Sequence, residues 1–423
     1  MIKNNNIKQI GIYVHIPFCV SKCNYCSFFS CNRSEDFIEN YVKNLLIEIE
    51  KSSFCFKQYE IISIYFGGGT PSFIDQKHIE NIINCIKNNY NVLKNAEISI
   101  ECNPCSVNFQ KLKFYKDCGF NRVSFGVQSL NDNCLKIINR KHTKEDAIRA
   151  ILDAKKAGFN NISADLLIGI PYQSEDNLLS DIKTLVSLDI KHISCYMLML
   201  EEGTCLYEMV MKKQLTVASD DDCVNMYKRS YSLLKEYGFS RYEISNFSLS
   251  GFECKHNLNY WNEVEYLGFG VSACGFVNNI RVTGFSDFEK YYDYCNLICK
   301  TKKTIYDLIT NLSINQLEEF SIENKDLKNQ QNLTGGESCI FEGLSFEYIS
   351  DKVKCEEMIM LGLRLKKGVC LSDLKKLGYD LLKEKREVVE SYIKTGAICI
   401  ENDHLFITDD FFGASNKIIL DLI

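Results

Sequence analysis

Residues 13–29 read YVHIPFCVSKCNYCSFF. The run IYVHI over 12–16 fits a β-strand, and Cys19, Cys23 and Cys26 follow it in the spacing CxxxCxxC, with Tyr25 just before the last. Thiolates held in one tight loop suit a soft metal, either zinc or an iron–sulfur cluster. A structural zinc site needs a fourth Cys or His, and Cys31 and His15 stand close enough in sequence to be considered. Three thiols with no obvious fourth suit a 4Fe–4S cube whose remaining iron stays open to a substrate or cofactor.

Outward from this stretch, short β-rich runs alternate with longer amphipathic ones. The strands are expected at 12–16, 61–66 (IISIYF), 97–102 (EISIEC), 122–126 (RVSFG), 162–169 (ISADLLIG) and 192–198 (HISCYML). Helical periodicity falls between them at 36–50, 76–90, 106–117, 143–157 and 174–188. Two helix starts carry capping residues, Ser34 with Glu35 and Thr143 with Asp146. Such alternation predicts an α/β fold with parallel strands and crossover helices. The strands read as apolar on both faces, as in a covered parallel sheet. The pattern fits a partial (β/α)6 TIM-type barrel or an open doubly wound sheet, without separating them.

A chain of 423 residues, 46% apolar and 25% charged, exceeds one ordinary domain. Three regions are expected: a core over 1–290, a polar insertion or linker over 291–350, and a small C-terminal domain over 351–423. The last shows helix, helix and a hairpin, AICIENDHLFIT, turning at Asn402 and Asp403; this is a winged-helix-like α+β pattern. The net charge of −6 argues against a chain that coats nucleic acid, so no nucleic-acid partner is expected. Neither a signal-peptide pattern nor a membrane-length apolar run is present, and a cytoplasmic protein is expected. The 21 cysteines, an odd number in a long chain, do not read as a disulfide framework. Most are expected to be buried hydrophobes in a reducing, oxygen-poor cell.

Polar residues gather where strands end. YFGGGTP (65–71) follows the second strand, and its glycines let backbone approach a ligand. Glu101 closes the third strand, Gln128 follows the fourth and Asp165 lies in the fifth. In parallel α/β folds such positions converge on one rim, on the same side as the cysteine loop.

Taken together these motifs resemble the radical S-adenosylmethionine (radical SAM) enzymes. Within them, the chain is similar to the branch of oxygen-independent coproporphyrinogen III oxidases and HemW-like heme chaperones. The resemblance runs from about Tyr13 to Phe276 and resumes over 355–412. It implies a partial barrel with a small C-terminal domain, a 4Fe–4S cluster on Cys19, Cys23 and Cys26, and S-adenosylmethionine on its open iron. Gly68, Gly69 and Thr70 would hold the methionyl end, Glu101 the ribose, and Tyr13 would line the pocket. Tyr25, Gln128, Arg140 and Asp165 match a second S-adenosylmethionine site of the oxidase, with Tyr25 in place of its Phe.

Three features lean toward the chaperones. Phe28 stands where the oxidase has a further cysteine, only eighteen residues precede Cys19, and HNLNYW (256–261) fits the HNxxYW motif tied to heme binding in HemW-like proteins. Imidazole is a good iron ligand, and two flat rings suit a porphyrin, so His256, Tyr260 and Trp261 are the candidate heme residues. The implied partners are heme and heme-requiring acceptor proteins, respiratory and met at the membrane surface. The alternative is a radical decarboxylase of coproporphyrinogen III or another radical SAM enzyme. Other motifs carry less. GFGVSA (268–273) leads into strand-like sequence rather than a helix; CNPC (102–105) lacks a redox-fold context; His142 reads as a helix-opening residue, and Cys254 as incidental.

Overall fold

Six strands lie side by side in the order in which the chain makes them. They are β1 (Gln9–Ile16), β2 (Glu60–Gly68), β3 (Asn91–Cys102), β4 (Arg122–Gln128), β5 (Asn161–Ile168) and β6 (His192–Met197), each parallel to the next. A doubly wound sheet reverses its strand order in the middle. No reversal occurs here, and the wall is that of a partial barrel. The computed structural model describes residues 8–311 and 343–423.

The crossover segments are α1 (Glu35–Ser52), α2 (Gln76–Asn89), α3 (Phe109–Asp117), α4 (Asp132–Ile137), α5 (Lys144–Lys156) and α6 (Glu175–Ser187). Thr143 and Asp146 cap α5 reciprocally, whereas Ser34 sits at the cap of α1 without a side-chain hydrogen bond. The strands send Ile64, Phe66, Ile98, Ile100, Val123 and Phe125 outward into one core beneath these helices.

The inward face differs from expectation. It is not apolar but carries Ser63 and Tyr65 on β2, Glu97 and Glu101 on β3, and Arg122 and Ser124 on β4, with Ser163, Asp165, His192 and Ser194 beyond. Alternating residues of a strand point to opposite faces. With no crossover helix inside the lumen, its inward positions can hold polar groups, provided they pair.

The wall continues on both sides. The chain runs on through α7 (Cys205–Met211), α8 (Asp220–Glu236), β7 (Ser240–Arg241), β8 (Asn246–Ser248), α9 (Lys255–Trp261), β9 (Tyr266–Phe269), β10 (Cys274–Val277) and β11 (Ile280–Thr283). β8 pairs antiparallel with β6, and β9 joins β1 in parallel. The strand-like reading after GFGVSA is thus met by β10 and β11.

Part of the expected linker is core. α10 (Phe288–Thr301) stacks Phe288 on Phe18 at 6.3 Å, and Tyr306 of α11 (Ile305–Asn311) bonds both backbone groups of Gly268. β12 (Ser345–Tyr348) pairs with β11. The rest of that stretch, 312–342, lies outside the described residues.

The C-terminal region packs its own core around an antiparallel sheet of Val369–Cys370, His404–Ile407 and Ile398–Glu401, with helices that include Asp351–Gly362 and Arg386–Lys394. Its hairpin turns at Asn402 and Asp403, both left-handed with φ of 48° and 65°, as a two-residue turn requires. Buried Arg241 joins the two regions, pairing with Asp409 at 2.8 Å and stacking over Phe412. Among the described residues, no helix is long and apolar enough to cross a membrane.

Candidate functional site

Residues of β2 to β6 and the loop after β1 surround a cavity of about 440 Å³. Cys19, Cys23 and Cys26 stand on its rim, half-buried, in a loop stitched to its surroundings. Cys19 N–H donates to Cys31 O at 2.9 Å, Cys31 N–H to Pro17 O at 2.8 Å and Thr70 N–H to Phe18 O at 2.9 Å. Asn24 fixes the far side through Ile137 O and Ile138 O, and its own carbonyl receives the Leu206 N–H at the start of α7.

The two other zinc candidates are engaged elsewhere. Cys31 points its thiol at Pro17 O, while His15 meets Tyr13 Oη at 3.0 Å and Phe29 O at 3.3 Å. Burial lowers the His15 pKa to about 4. Neither lines the cavity. Among the described residues, no three Cys, His, Asp or Glu are grouped to hold a single metal ion. A cube takes one thiolate per iron, so its ligands need not meet at a point. Three soft donors with a mouth open beside them fit that group.

The wall beyond the thiols is polar. Burial pushes the Glu101 pKa up to about 7 against the hydrogen bonds that Tyr65 Oη, at 2.7 Å, and Gly68 N–H donate to its carboxylate. Burial also raises Asp165, which accepts from Ser124 Oγ at 3.2 Å. Arg140 reaches Cys23 Sγ at 3.5 Å and donates to Gly126 O, yet its buried Nε has no partner. Gln128 takes a left-handed φ of 65° where β4 slips register against β5. Such a conformation in a non-glycine residue at a strand end marks a site that the surrounding fold enforces.

The glycine run has a second use. A Cβ on Gly68, whose φ is +110°, would lie 2.6 Å from His15, and one on Gly69 would lie 2.9 Å from the Phe18 backbone. These glycines let the loop after β2 press against the cysteine loop.

Of the residues expected at the site, Tyr25, Gly68, Gly69, Thr70, Glu101, Gln128, Arg140 and Asp165 line the same cavity as the three cysteines. Tyr13 does not. Its ring stacks behind Tyr65 at 6.4 Å and beside His256 at 6.5 Å, one layer below the wall.

The HNLNYW segment lies elsewhere. It forms α9, which plugs the barrel at the opposite, amino-terminal end of the strands. Glu97 caps it, accepting from Lys255 N–H and His256 N–H at 3.1 Å. His256 is 0% exposed. Its Nδ1 meets Ser63 Oγ at 2.8 Å, its Nε2 meets Tyr260 Oη at 2.7 Å, and its ring stacks on Tyr65 at 5.1 Å. Burial drives its pKa down to about 3. Neither nitrogen is available to iron in this arrangement. Tyr260 is held edge-on against Tyr266, and Trp261 is half-buried at the end of the helix.

The residue of this segment that faces the cavity is Asn257. Arg122, Ser124, Ser194 and Tyr196 also line it and were not singled out in the sequence. Their signal was there: each occupies an inward position two residues from another inward residue on its strand. Cys102 and Cys105 of CNPC reach the same wall, and His142 is a buried residue before α5, bonded to Val127 O.

Comparison with known proteins agrees with this geometry. The Radical SAM superfamily profile matches residues 13–185, and the HemN C-terminal domain profile matches 349–410. A protein of Buchnera aphidicola named heme chaperone HemW is 36% identical over 317 residues, 72% of this chain and 83% of the relative. The heme chaperone HemW of Lactococcus lactis is 29% identical over 412 residues, 97% of this chain and 96% of its own length. The solved structure of coproporphyrinogen III oxidase (HemN) from Escherichia coli superposes with a TM-score of 0.76, covering 98% of this chain and 90% of that one. At 17% identity that likeness speaks for the fold. On the strength of the thiol loop, the barrel wall and these relatives, the chain belongs to the HemW family of the radical SAM superfamily.

Proposed function

We propose that this protein binds heme and delivers it to heme-requiring acceptor proteins, using a 4Fe–4S cluster and S-adenosylmethionine seated at the barrel mouth. The observation that carries the cofactor half is the meeting of three thiols, a glycine-lined loop and an unsatisfied Arg140 on one cavity. The heme half is supported by the chaperones to which the chain is 36% and 29% identical.

In this reading Cys19, Cys23 and Cys26 hold three irons and leave the fourth to S-adenosylmethionine. Gly68, Gly69 and Thr70 receive the methionyl end, while Glu101 accepts from the ribose hydroxyls. Arg140, Gln128, Asp165 and Tyr25 line the remainder and orient what lies there. Bound, these groups supply one-electron chemistry that no side chain provides. An ionised carboxylate is the stronger acceptor for a hydroxyl, and burial raises the Glu101 pKa to about 7. The proposed acceptors are respiratory heme proteins, met at the membrane surface by a cytoplasmic protein; this part rests on the family resemblance.

The test is anaerobic reconstitution, heme titration and transfer to the apo-form of a heme protein. Transfer faster than from free heme is expected. Accumulation of protoporphyrinogen from coproporphyrinogen III under reducing conditions would instead assign the chain to radical decarboxylation.

A further inference from the structure

A ladder of rings joins the cavity to the foot of the barrel. Tyr65 lines the cavity and stacks on His256 with centroids 5.1 Å apart. His256 meets Tyr260 edge-on at 5.0 Å, and Tyr260 meets Tyr266 at 4.6 Å. Tyr13 stands beside the upper step, 6.4 Å from Tyr65 and 6.5 Å from His256. Tyr65 pairs with Tyr13 in the sheet, whereas Tyr266 pairs with Gly11, nearer the amino end of β1, and is half-buried.

Packing alone does not ask for this composition. Behind the sheet, the rings around Phe18 are Phe37, Tyr41 and Phe288, mostly plain hydrocarbon. Every ring of the ladder carries a group that can give or take a proton. Its inner phenols are also matched to proton acceptors. Tyr65 Oη donates to Glu101 at 2.7 Å, Tyr13 Oη meets His15 Nδ1 at 3.0 Å, and Tyr260 Oη meets His256 Nε2 at 2.7 Å. A phenol yields an electron readily when its proton can leave with it, and neighbouring phenols then pass the vacancy along.

We propose that this ladder drains oxidising equivalents from the cavity to the foot of the barrel, sparing the groups held at the mouth. The proposal rests on the reading above that iron is seated at the thiol loop. The oxidant is carbonate radical anion, a one-electron oxidant formed where peroxide meets ferrous iron in bicarbonate. It takes an electron from Tyr65 and becomes carbonate, while the phenolic proton crosses to Glu101. Tyr260 then reduces the Tyr65 radical; Glu101 returns its proton to Tyr65, and the Tyr260 proton passes to His256 Nε2. Tyr266 reduces Tyr260 in turn, His256 gives back its proton, and the Tyr266 proton goes to solvent. A small thiol at the surface closes the sequence by giving Tyr266 a hydrogen atom, and two of the resulting thiyl radicals couple to a disulfide.

The experiment adds peroxide in bicarbonate buffer to the full-length, anaerobically reconstituted protein with a nitroso spin trap, and maps trapped tyrosines by peptide mass spectrometry. In wild type, adducts are expected at Tyr260 and Tyr266. Tyr260→Phe keeps a ring in place and removes the relay, so label moves to Tyr65 and is lost from Tyr266. Tyr65→Phe removes the entry, and label at both Tyr260 and Tyr266 is lost. Both variants are expected to release iron faster than wild type under the same peroxide. Tyr172 and Tyr237, 72% and 44% exposed and off the ladder, report oxidant in bulk solvent and should be labelled equally in all three proteins. Label at Tyr266 that survives both substitutions overturns the proposal, as does wild-type label confined to Tyr65. If the reconstituted protein holds no iron, the cofactor reading fails instead, and the ladder is tested alone. Azide radicals then oxidise Trp261, the one tryptophan, next to Tyr260 in sequence, and transient absorption follows conversion of the indolyl to the phenoxyl radical. Slower conversion in Tyr260→Phe supports the ladder, and an unchanged rate overturns it.

Discussion

The two ends of the barrel are built by the same strands and both carry polar groups, yet they differ in how far those groups satisfy one another. At the floor, Ser63, Glu97, His192, Tyr242, His256, Asn259 and Tyr260 form a closed set of hydrogen bonds. At the mouth, Arg140 keeps an orphaned nitrogen, Glu101 and Asp165 share a wall with their pKa values raised by burial, and three thiols face open space. A paired buried network stabilises a fold, whereas unmet bonding capacity beside a cavity marks a place for a ligand. Residue type alone does not separate the two, since both ends contain a histidine or cysteine that a motif would call a metal ligand.

The largest effect expected from this contrast is at the thiols. Replacing Cys19, Cys23 or Cys26 with serine should abolish nearly all iron and acid-labile sulfide after reconstitution. Cys31→Ser should retain them, because that thiol faces a carbonyl rather than the cavity. Iron and sulfide assays distinguish the outcomes; equal loss in Cys31→Ser would mean that the loop has a fourth ligand.

Next comes the floor. His256→Ala leaves Ser63 and Tyr260 unpaired and empties a stacked position, and should cost ~3 kcal/mol in a denaturation midpoint. Measured against the thiol variants, it should lower stability without altering the iron-to-protein ratio of the folded fraction.

Glu101 offers a smaller effect with opposite signs in two assays. Its folded pKa of about 7 lies above the unfolded value of 4.5. The native state therefore keeps a proton that the unfolded state loses, and stability falls as pH rises between those values. Glu101→Gln removes that loss and should raise the stability of the cofactor-free protein at pH 8 by on the order of 1 kcal/mol. It should also weaken S-adenosylmethionine binding. In wild type that binding should decline as pH drops below about 7, where the carboxylate takes up its proton. Calorimetric titration across pH reads this directly; a variant that binds as well as wild type would remove Glu101 from the ribose site.

The smallest effect serves as a remote control. Asn402→Gly at the left-handed hairpin position should stabilise the C-terminal region by a few tenths of a kcal/mol, about 0.5 at most, and leave iron content and heme binding untouched.

Much of the mouth was legible before folding because its signals are local. CxxxCxxC is a single loop, GGGT a single turn, and the strand-end carboxylates follow from one parallel repeat. The hairpin at Asn402 and Asp403 was readable for the same reason. Tyr13 and His256 were not. Both lie in stretches that look like sites, and what decides their role is a partner far away in sequence: Ser63 is 193 residues from His256. The expected linker failed similarly. Residues 291–311 fall within the expected linker, but Tyr291, Tyr294 and Tyr306 are buried with their hydroxyls bonded to Glu48, Ile305 and Gly268. Only the partners turn these aromatic hydroxyls into core.

The amino-acid order by itself therefore determined the repeat of strand and helix, the thiol loop and the membership of a family, since each depends on neighbours within a few turns of chain. Only the tertiary structure decided that the strands close in unbroken order, that the lumen is polar and that HNLNYW seals one end. These depend on which distant donors and acceptors meet, and hydrogen-bond satisfaction in a buried space is a property of the assembled fold rather than of any segment.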